Sequence, residues 1–525
     1  MAQSKSRLNP IIIVLIVLLS GATAGALFGE RSMSEEETEL MLRASRVVNL
    51  LLEWLPTEED PADIVYDGIS GMLEVLDPHS NYLDPRTFNR MRSRQEGSFF
   101  GVGIIISRRD GKITVIAPMA GTPAAAVGLR AGDVISAVGD QSTEDFNLDN
   151  VVDLVRGPEG TTVQLTIARP GLKEEFTVEI TRPRIPPNSV RDAFMVRPTV
   201  GYIRLSEFSS SSEREVRDAV DRLETEGMQQ LILDLRNNPG GSLDAAIGVS
   251  DVFLAKGNLI VTTRGRTPSS HSTLTAPGRD EPFKGPVIAL VNEGSASASE
   301  IVAGAIQDHD RGLVLGEVTW GKGLVQTVFT VRDTGLALTT ARYYTPSGRS
   351  IQRDYQSFID YITHKNGTNG DDIHETDAGR TVLGGGGITP DVTLEARTLS
   401  ENLARLYGKS AFLRYAVELL KDVPEDEKAA MARTFTPNEK VLERFWVWIE
   451  DEEILSIENI DELKESPQDV SDVAMGIKVE IMNATLGLDD GYRVALDADD
   501  QFLAALTHLD EAKDFWIAWQ DANLD

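Results

Sequence analysis

Two runs of residues, Leu231-Ile232-Leu233-Asp234-Leu235 and Val287-Ile288-Ala289-Leu290-Val291, are almost continuously apolar. Each is followed by small turn residues and then by a segment of helical composition: Pro239-Gly240-Gly241 before an Ala-rich stretch, and Gly294 to Ala296 before Ser297–Asp308. A strand with no polar face has nothing to offer water. It belongs in a parallel sheet covered on both sides by crossover helices, which sets residues 186–400 as an α/β domain. The 525 residues, 41% of them hydrophobic, leave room for further cores, roughly three or four domains in all.

The flanks have other patterns. Lys5 and Arg7 precede the apolar run Ile11–Leu19, with small-x-small sites at Ala22-Thr23-Ala24 and Ala24-Gly25-Ala26, so residues 1–28 read as a signal peptide or a retained membrane anchor. Everything after Gly29 is then extracytoplasmic, in a periplasm or cell envelope. Residues 29–95 form a helical module, with Leu40, Ala44, Val47, Val48 and Leu51 at helical spacing. Residues 96–185 change to short β-rich runs, Val102–Ile106, Ile113–Ile116 and Thr162–Ile167, between Gly and Pro turns. A polar stretch at Thr363–Asp377 and the run Gly384–Gly387 read as loops.

Residues 401–525 are helical and acidic, with 29 Asp and Glu against 12 Lys and Arg, which is more than half of the chain's net charge of -31. Leu442, Phe445 and Ile449 share one helical face beside Trp446 and Trp448, so this region should still pack a core. An acidic chain without clustered Lys and Arg is no nucleic-acid binder. The absence of cysteine excludes disulfides, zinc-thiolate sites and cysteine nucleophiles.

Three readings compete for Lys322. From Gly316 the chain reads G-x-x-x-x-G-K-G, one residue from a phosphate-binding loop. Gly323 replaces the Ser or Thr that would reach magnesium, and the β-branched run Leu324–Val331 replaces the helix that should follow, so nucleotide binding is set aside. A surface lysine in a glycine turn is the plain alternative. The third is a general base for Ser297, which starts a helix where the dipole and open N–H groups favour developing negative charge. Ser297-x-x-Glu300 equally reads as a capping box. The six histidines, at 79, 271, 309, 364, 374 and 508, show no elbow motif with Ser297, so a neutral lysine amine is the available base. In an extended segment Gln326 lies on the face of Lys322 and can orient it.

These stretches together resemble the C-terminal processing peptidases, or tail-specific proteases: S-A-S-A-S-E at Ser295–Glu300, T-W-G-K-G-L-V-Q at Thr319–Gln326, and D-L-R-N-N-P-G-G at Asp234–Gly241. L-D-P-H-S at Leu76–Ser80, T-T-A-R-Y-Y-T-P-S-G-R-S-I-Q at Thr339–Gln352 and G-I-T-P-D-V at Gly387–Val392 extend the match. The resemblance implies Ser297 as nucleophile, Lys322 as base and Gln326 as its partner, with an oxyanion hole drawn from the N–H groups of Gly240 or Gly241 and of Ala298. It also implies a crotonase-like core, no metal and no cofactor. Phe99-Phe100-Gly101-Val102-Gly103-Ile104 resembles a PDZ carboxylate loop, which places substrate-tail binding at Phe100, Gly101, Val102, Gly103 and Ile104.

The expectation is therefore a multidomain α/β protein with a crotonase-like peptidase core, an inserted PDZ domain, an N-terminal helical module and an acidic helical C-terminal region of unknown role. It would be an exported serine endopeptidase acting on proteins or peptides with accessible C-terminal tails, the PDZ domain recruiting or gating them. Its membrane contact would run through an uncleaved N-terminus, and its helical ends would serve a homo-oligomer or an adaptor. The rival from another class is a non-catalytic PDZ scaffold or chaperone for exported proteins.

Overall fold

The structure, a computed structural model, describes residues 34–54, 60–95, 99–109, 111–119, 122–169, 172–185, 189–355, 361 and 372–523. The expected signal or anchor at 1–28 lies outside these. Among the described residues no helix is long and apolar enough to cross a membrane. The chain forms two compact units, residues 1–88 with 327–338, and residues 89–326 with 339–525.

In the first unit, α1 (Glu35–Trp54) carries the expected apolar stripe, yet none of its residues is buried. Pro61 opens α2 (Pro61–Glu74), whose N-cap Asp60 accepts from Ala62 N–H. The strand β1 (Asn81–Leu83) pairs antiparallel with Gly335–Ala337.

The second unit takes up α3 (Pro85–Gln95) from residue 89 and continues through β2 (Phe99–Phe100) to a β-rich domain. Here β3 (Ile104–Arg109), β4 (Lys112–Pro118), β5 (Val134–Val138), β7 (Thr162–Ala168) and β8 (Phe176–Thr181) pair antiparallel in that order, with β6 (Gln141–Ser142) beside β5. The short helices α4 (Pro123–Ala126) and α5 (Leu148–Val155) close over a core that includes Val115, Ile135, Val151, Leu165 and Ile167. The first strand begins two residues later than its apolar run suggests. Gly103 has φ +79 and the carbonyls of Val102 and Gly103 are held by Ala124 and Met119 N–H groups, so Gly101–Gly103 is a buried turn.

After β9 (Arg184–Ile185), the α/β core is a six-stranded sheet. It runs β10 (Val190–Arg197), β11 (Val200–Leu205), β12 (Gln230–Asp234), β15 (Val287–Val291), β16 (Leu313–Gly316), β21 (Val392–Thr393), parallel except for β10. The alternation of strand side chains explains the apolar runs. Leu231, Leu233, Val287, Ala289 and Val291 face α6 (Ser212–Thr225), α7 (Leu243–Asp251) and α8 (Ala298–Asp308), while Ile232, Ile288 and Leu290 face the opposite way. A small antiparallel group, β13 (Leu259–Gly265), β14 (Ser272–Thr275) and residues 341–344, flanks the sheet. The Gly321-Lys322-Gly323 segment enters β17 (Leu324–Val331), and residues 341–344 end β18 (Thr334–Tyr344). Part of the stretch expected as loop is instead a hairpin, β19 (Ile373–Glu375) with β20 (Thr381–Leu383), closed by Thr376 N–H to Arg380 O.

The opposite sheet face is covered by the acidic region. Helices α9 (Glu401–Gly408), α10 (Ala411–Leu420), α11 (Glu425–Thr434), α12 (Glu439–Asp451), α13 (Ile457–Glu465) and α14 (Pro467–Thr485) supply a separate core around Phe412, Phe445, Ile449 and Ile477. Leu442 packs against it from the face that the spacing indicates. Then α15 (Leu488–Ala495), α16 (Asp500–Thr507) and α17 (Leu509–Asn523) bring Leu496, Phe502, Ala505, Leu509 and Ala512 onto Tyr202, Ile232, Ile288 and Leu290.

Candidate active site

Ser297 stands between β15 and α8. Its φ of +55° and ψ of -111° are far from the extended backbone of an ordinary N-cap, and a non-glycine residue holds such angles only where its surroundings impose them. Those surroundings are visible. Ser295 Oγ donates to Leu235 O at 2.8 Å, Ser299 Oγ donates to Asn238 O at 2.9 Å, and Ala296 N–H donates to the same Asn238 O at 3.0 Å. The serines on either side of Ser297 thus tie its turn to the end of β12, and α8 runs from it buried along its whole length.

Lys322 lies in the glycine segment before β17. Its Nζ is 3.2 Å from Gln326 Oε1, so the sequence-predicted pair is joined directly. No helix follows it, which agrees with setting the nucleotide loop aside. Ser297 and Lys322 are brought together through their backbones. Glu300 Oε2 accepts from Ser297 N–H at 2.7 Å and from Lys322 N–H at 2.9 Å, while Oε1 accepts from Gly321 N–H at 2.7 Å and Thr319 Oγ1 at 2.6 Å. Tyr343 Oη lies 3.0 Å from Ser297 O and 2.6 Å from Lys322 O. Burial pushes the Glu300 carboxyl up, and the hydrogen bonds from Thr319, Lys322, Gly321 and Ser297 push back; three of those donors are backbone N–H groups that a carboxylate alone can fully satisfy. Burial likewise pushes the Tyr343 phenol well above its ordinary value, so it stays a donor.

The turn Asn237–Gly241 faces Ser297. Asn238, fully buried, donates from Nδ2 to Leu205 O at 2.8 Å and accepts Gly240 N–H on Oδ1 at 2.9 Å. Gly240 has φ +94°, and a Cβ there would stand 2.6 Å from Ala296 O and 2.8 Å from Ala298 N and Ser297 Cβ. Gly241 has φ +149°, and a Cβ there would meet Phe208 O at 2.1 Å. Only glycine permits this approach at both positions. Ala298, buried, is the first residue of α8. Among the described residues no group of three or more His, Cys, Asp or Glu is placed to hold a metal ion.

Comparison with known proteins supplies the family. Residues 199–357, which include the Asn237–Gly241 turn, Ser297, Lys322 and Gln326, match the model for peptidase family S41, and residues 114–169 match a PDZ domain. A carboxy-terminal-processing protease of Bartonella bacilliformis is 42% identical over 301 residues, 56% of this chain and 69% of that protein. A carboxyl-terminal-processing protease of Synechocystis is 36% identical over 342 residues, 61% and 79% of the two chains. A probable CtpA-like serine protease of Staphylococcus aureus is 36% identical over 296 residues, 56% and 59% of the two. The chain belongs to the C-terminal processing peptidases of family S41. It is a serine-type peptidase with a PDZ domain, so the non-catalytic scaffold is set aside.

In the PDZ domain of this S41 peptidase, the predicted tail-binding loop falls at the edge of the sheet. Phe100 lies in β2, Gly101, Val102 and Gly103 form the buried turn, and Ile104 begins β3. Thr122 Oγ1 joins Met119 N–H on Gly103 O, at 3.0 and 2.9 Å. β3 is the terminal strand in the sheet order, paired with β4 on one side only among the described residues, and α5 packs near it.

Three residues around the candidate site were missed by sequence reasoning. Glu300 is legible as a capping-box partner, but its bonds to Thr319, Gly321 and Lys322 span 19 to 22 residues and leave no local pattern. Tyr343 and Asn238 sit inside quoted motifs, and nothing in their spacing shows which backbone groups they hold.

Proposed function

We propose that this peptidase is an exported endopeptidase that cuts proteins near or from their C-termini, with Ser297 as nucleophile, Lys322 as general base and Gln326 orienting the lysine. Ser297 Oγ attacks the peptide carbonyl carbon as the neutral Lys322 amine takes the hydroxyl proton. The resulting ammonium gives that proton to the leaving amine as the C–N bond breaks. Water, deprotonated by Lys322, then releases the acyl group. The oxyanion is held by N–H groups of Gly241 and Ala298, because Gly240 N–H is taken by Asn238 Oδ1. The core that carries this chemistry is of the crotonase-like type.

The PDZ domain would add an extended substrate tail along the edge of β3 and receive its carboxylate at Phe100–Ile104. Export rests on the cationic start and apolar run of residues 1–28. The observation that carries the proposal is the shared clamp: Glu300 and Tyr343 fix the Ser297 and Lys322 backbones together while Lys322 Nζ meets Gln326. The test is incubation of the full chain and its Ser297→Ala variant with an unfolded protein ending in apolar residues. Cleavage by the parent and none by the variant is expected; equal cleavage by both would remove Ser297 from the chemistry.

A further inference from the structure

The acidic C-terminal region lies outside both matched domains, yet it reaches the turn that faces Ser297. The link is Arg236, the residue before Asn237. Its Nε is 3.0 Å from both Asp234 oxygens, and its Nη2 is 2.6 Å from Asp234 Oδ2. On its far side Nη1 donates to Asp499 Oδ1 at 2.9 Å and Gln501 Oε1 at 3.1 Å, and Nη2 lies 2.7 Å from Asp499 Oδ2. Burial works against the charge on Arg236, and the carboxylate of Asp234 beside it, joined by Asp499, more than offsets this. A guanidinium with acceptors on both edges has little freedom to turn.

Asp499 is itself held in place. It caps α16 by accepting Phe502 N–H at 3.0 Å. The Phe502 ring packs edge-on against Tyr202 with centroids 5.8 Å apart, and Tyr202 Oη donates to Asp234 Oδ2 at 2.6 Å. Gln501 Nε2 donates to Leu394 O at 2.7 Å, just past β21. The tail therefore fixes Arg236 from one side and the strand end from the other. Asn237, held at φ +56° with its N–H on Asn292 Oδ1 at 2.8 Å, passes that constraint to Asn238, Gly240 and Gly241.

We infer that Asp499 and Gln501 are positioning residues for the peptidase reaction, holding the oxyanion turn in register with Ser297 through Arg236. The inference rests on the assignment of Ser297 and the Gly241 turn made above. It gives the C-terminal helices a part in turnover as well as in covering the sheet. A donor displaced by a fraction of an ångström stabilises the oxyanion less while leaving substrate binding nearly unchanged.

The test uses the full chain with Asp499→Asn, which keeps an α16 cap but removes the charge and one acceptor from Arg236, and Gln501→Ala. Asp500→Asn, an exposed neighbouring carboxylate, is the control. Peptide turnover is measured beside binding of a peptide aldehyde, which forms a hemiacetal oxyanion on the serine, and of the product peptide. Asp499→Asn should lower kcat by about 10- to 100-fold with KM within about twofold. Aldehyde affinity should fall in step with kcat, product affinity should hold, and Gln501→Ala should show the same split more weakly. Parental kcat in a folded Asp499→Asn, or equal losses of aldehyde and product affinity, would overturn the inference. If Asp499→Asn does not fold, Gln501→Ala is judged by the same two ratios. Residual cleavage by Ser297→Ala would instead sink the underlying site assignment, so the two failures are separable.

Discussion

Ser297 and Lys322 give their backbone N–H groups to one oxygen, Glu300 Oε2, at 2.7 and 2.9 Å. A residue in the first turn of α8 thereby ties the Ser297 and Lys322 segments to each other. The two segments come from different sides of β16 in the chain.

Glu300→Gln is the sharpest probe of that clamp. An amide offers one acceptor oxygen where four donors converge and turns its own N–H groups toward the others. Each donor left unpaired costs about 1 to 3 kcal/mol. The variant should lose most of its peptidase activity, about 100-fold or more, with a lower melting temperature. Parental kcat/KM would show that the clamp is dispensable.

Ser299→Ala tests the brace on the other side. Ser299 Oγ is buried and bonded to Asn238 O, so the variant should lose about 1 kcal/mol of stability and part of its kcat while keeping Ser297 reactive. Chemical denaturation beside turnover measures both. Unchanged values in both would mean that the tie to Asn238 carries no weight.

Asp192, on β10 beside Arg204, has its carboxyl raised to about 6 by burial, with Arg204 opposing and Asp489 adding to the rise. The neutral form is thus favoured in the fold. Below the unfolded value, near 3.8, both states are protonated and the group contributes nothing; from there to about 6 the folded state holds the extra proton, so stability falls as pH rises. Asp192→Asn removes that decline. Its melting temperature minus that of the parent should climb from pH 4 to pH 6 and then level off. A difference that is flat across this range would contradict the assignment.

Arg311, just after α8, is buried against the stacked rings of Trp516 and Trp519, 4.6 and 4.9 Å from their centroids. Its Nε and Nη2 donate to Phe253 O and Phe283 O at 2.7 Å each. Trp519→Ala leaves a cavity and uncovers that cation, so unfolding in denaturant should show a loss of about 3 to 5 kcal/mol. A loss below about 1 kcal/mol would mean that α17 is not docked on the core as described.

Much of this was legible in the sequence because the physics was local. The runs Leu231–Leu235 and Val287–Val291 had to be strands buried on both faces, and the Gly321-Lys322-Gly323 turn followed by β-branched residues had to open a strand. Gln326, four residues past Lys322, was read onto the same face, and its Oε1 lies 3.2 Å from the lysine Nζ. What could not be read is long-range. Asp499 meets Arg236 across 263 residues, and the acidic composition of its region says nothing of a strand end. That Gly240 N–H is already taken depends on the Asn238 side chain, which spacing does not reveal. In α1 the stripe of Leu40 and Val47 was legible, but spacing does not say what a stripe faces, and here it is exposed.

The central claim is that Lys322 serves as the base for Ser297, and Lys322→Arg tests it most directly. Arginine keeps the charge and nearly the length but does not give up its proton, so it cannot accept one from Ser297. In the full chain, kcat/KM on a peptide substrate should fall by about a thousandfold or more for Lys322→Arg, with the folded structure retained. Turnover by Lys322→Arg within about tenfold of the parent would contradict the mechanism, even with Ser297 essential.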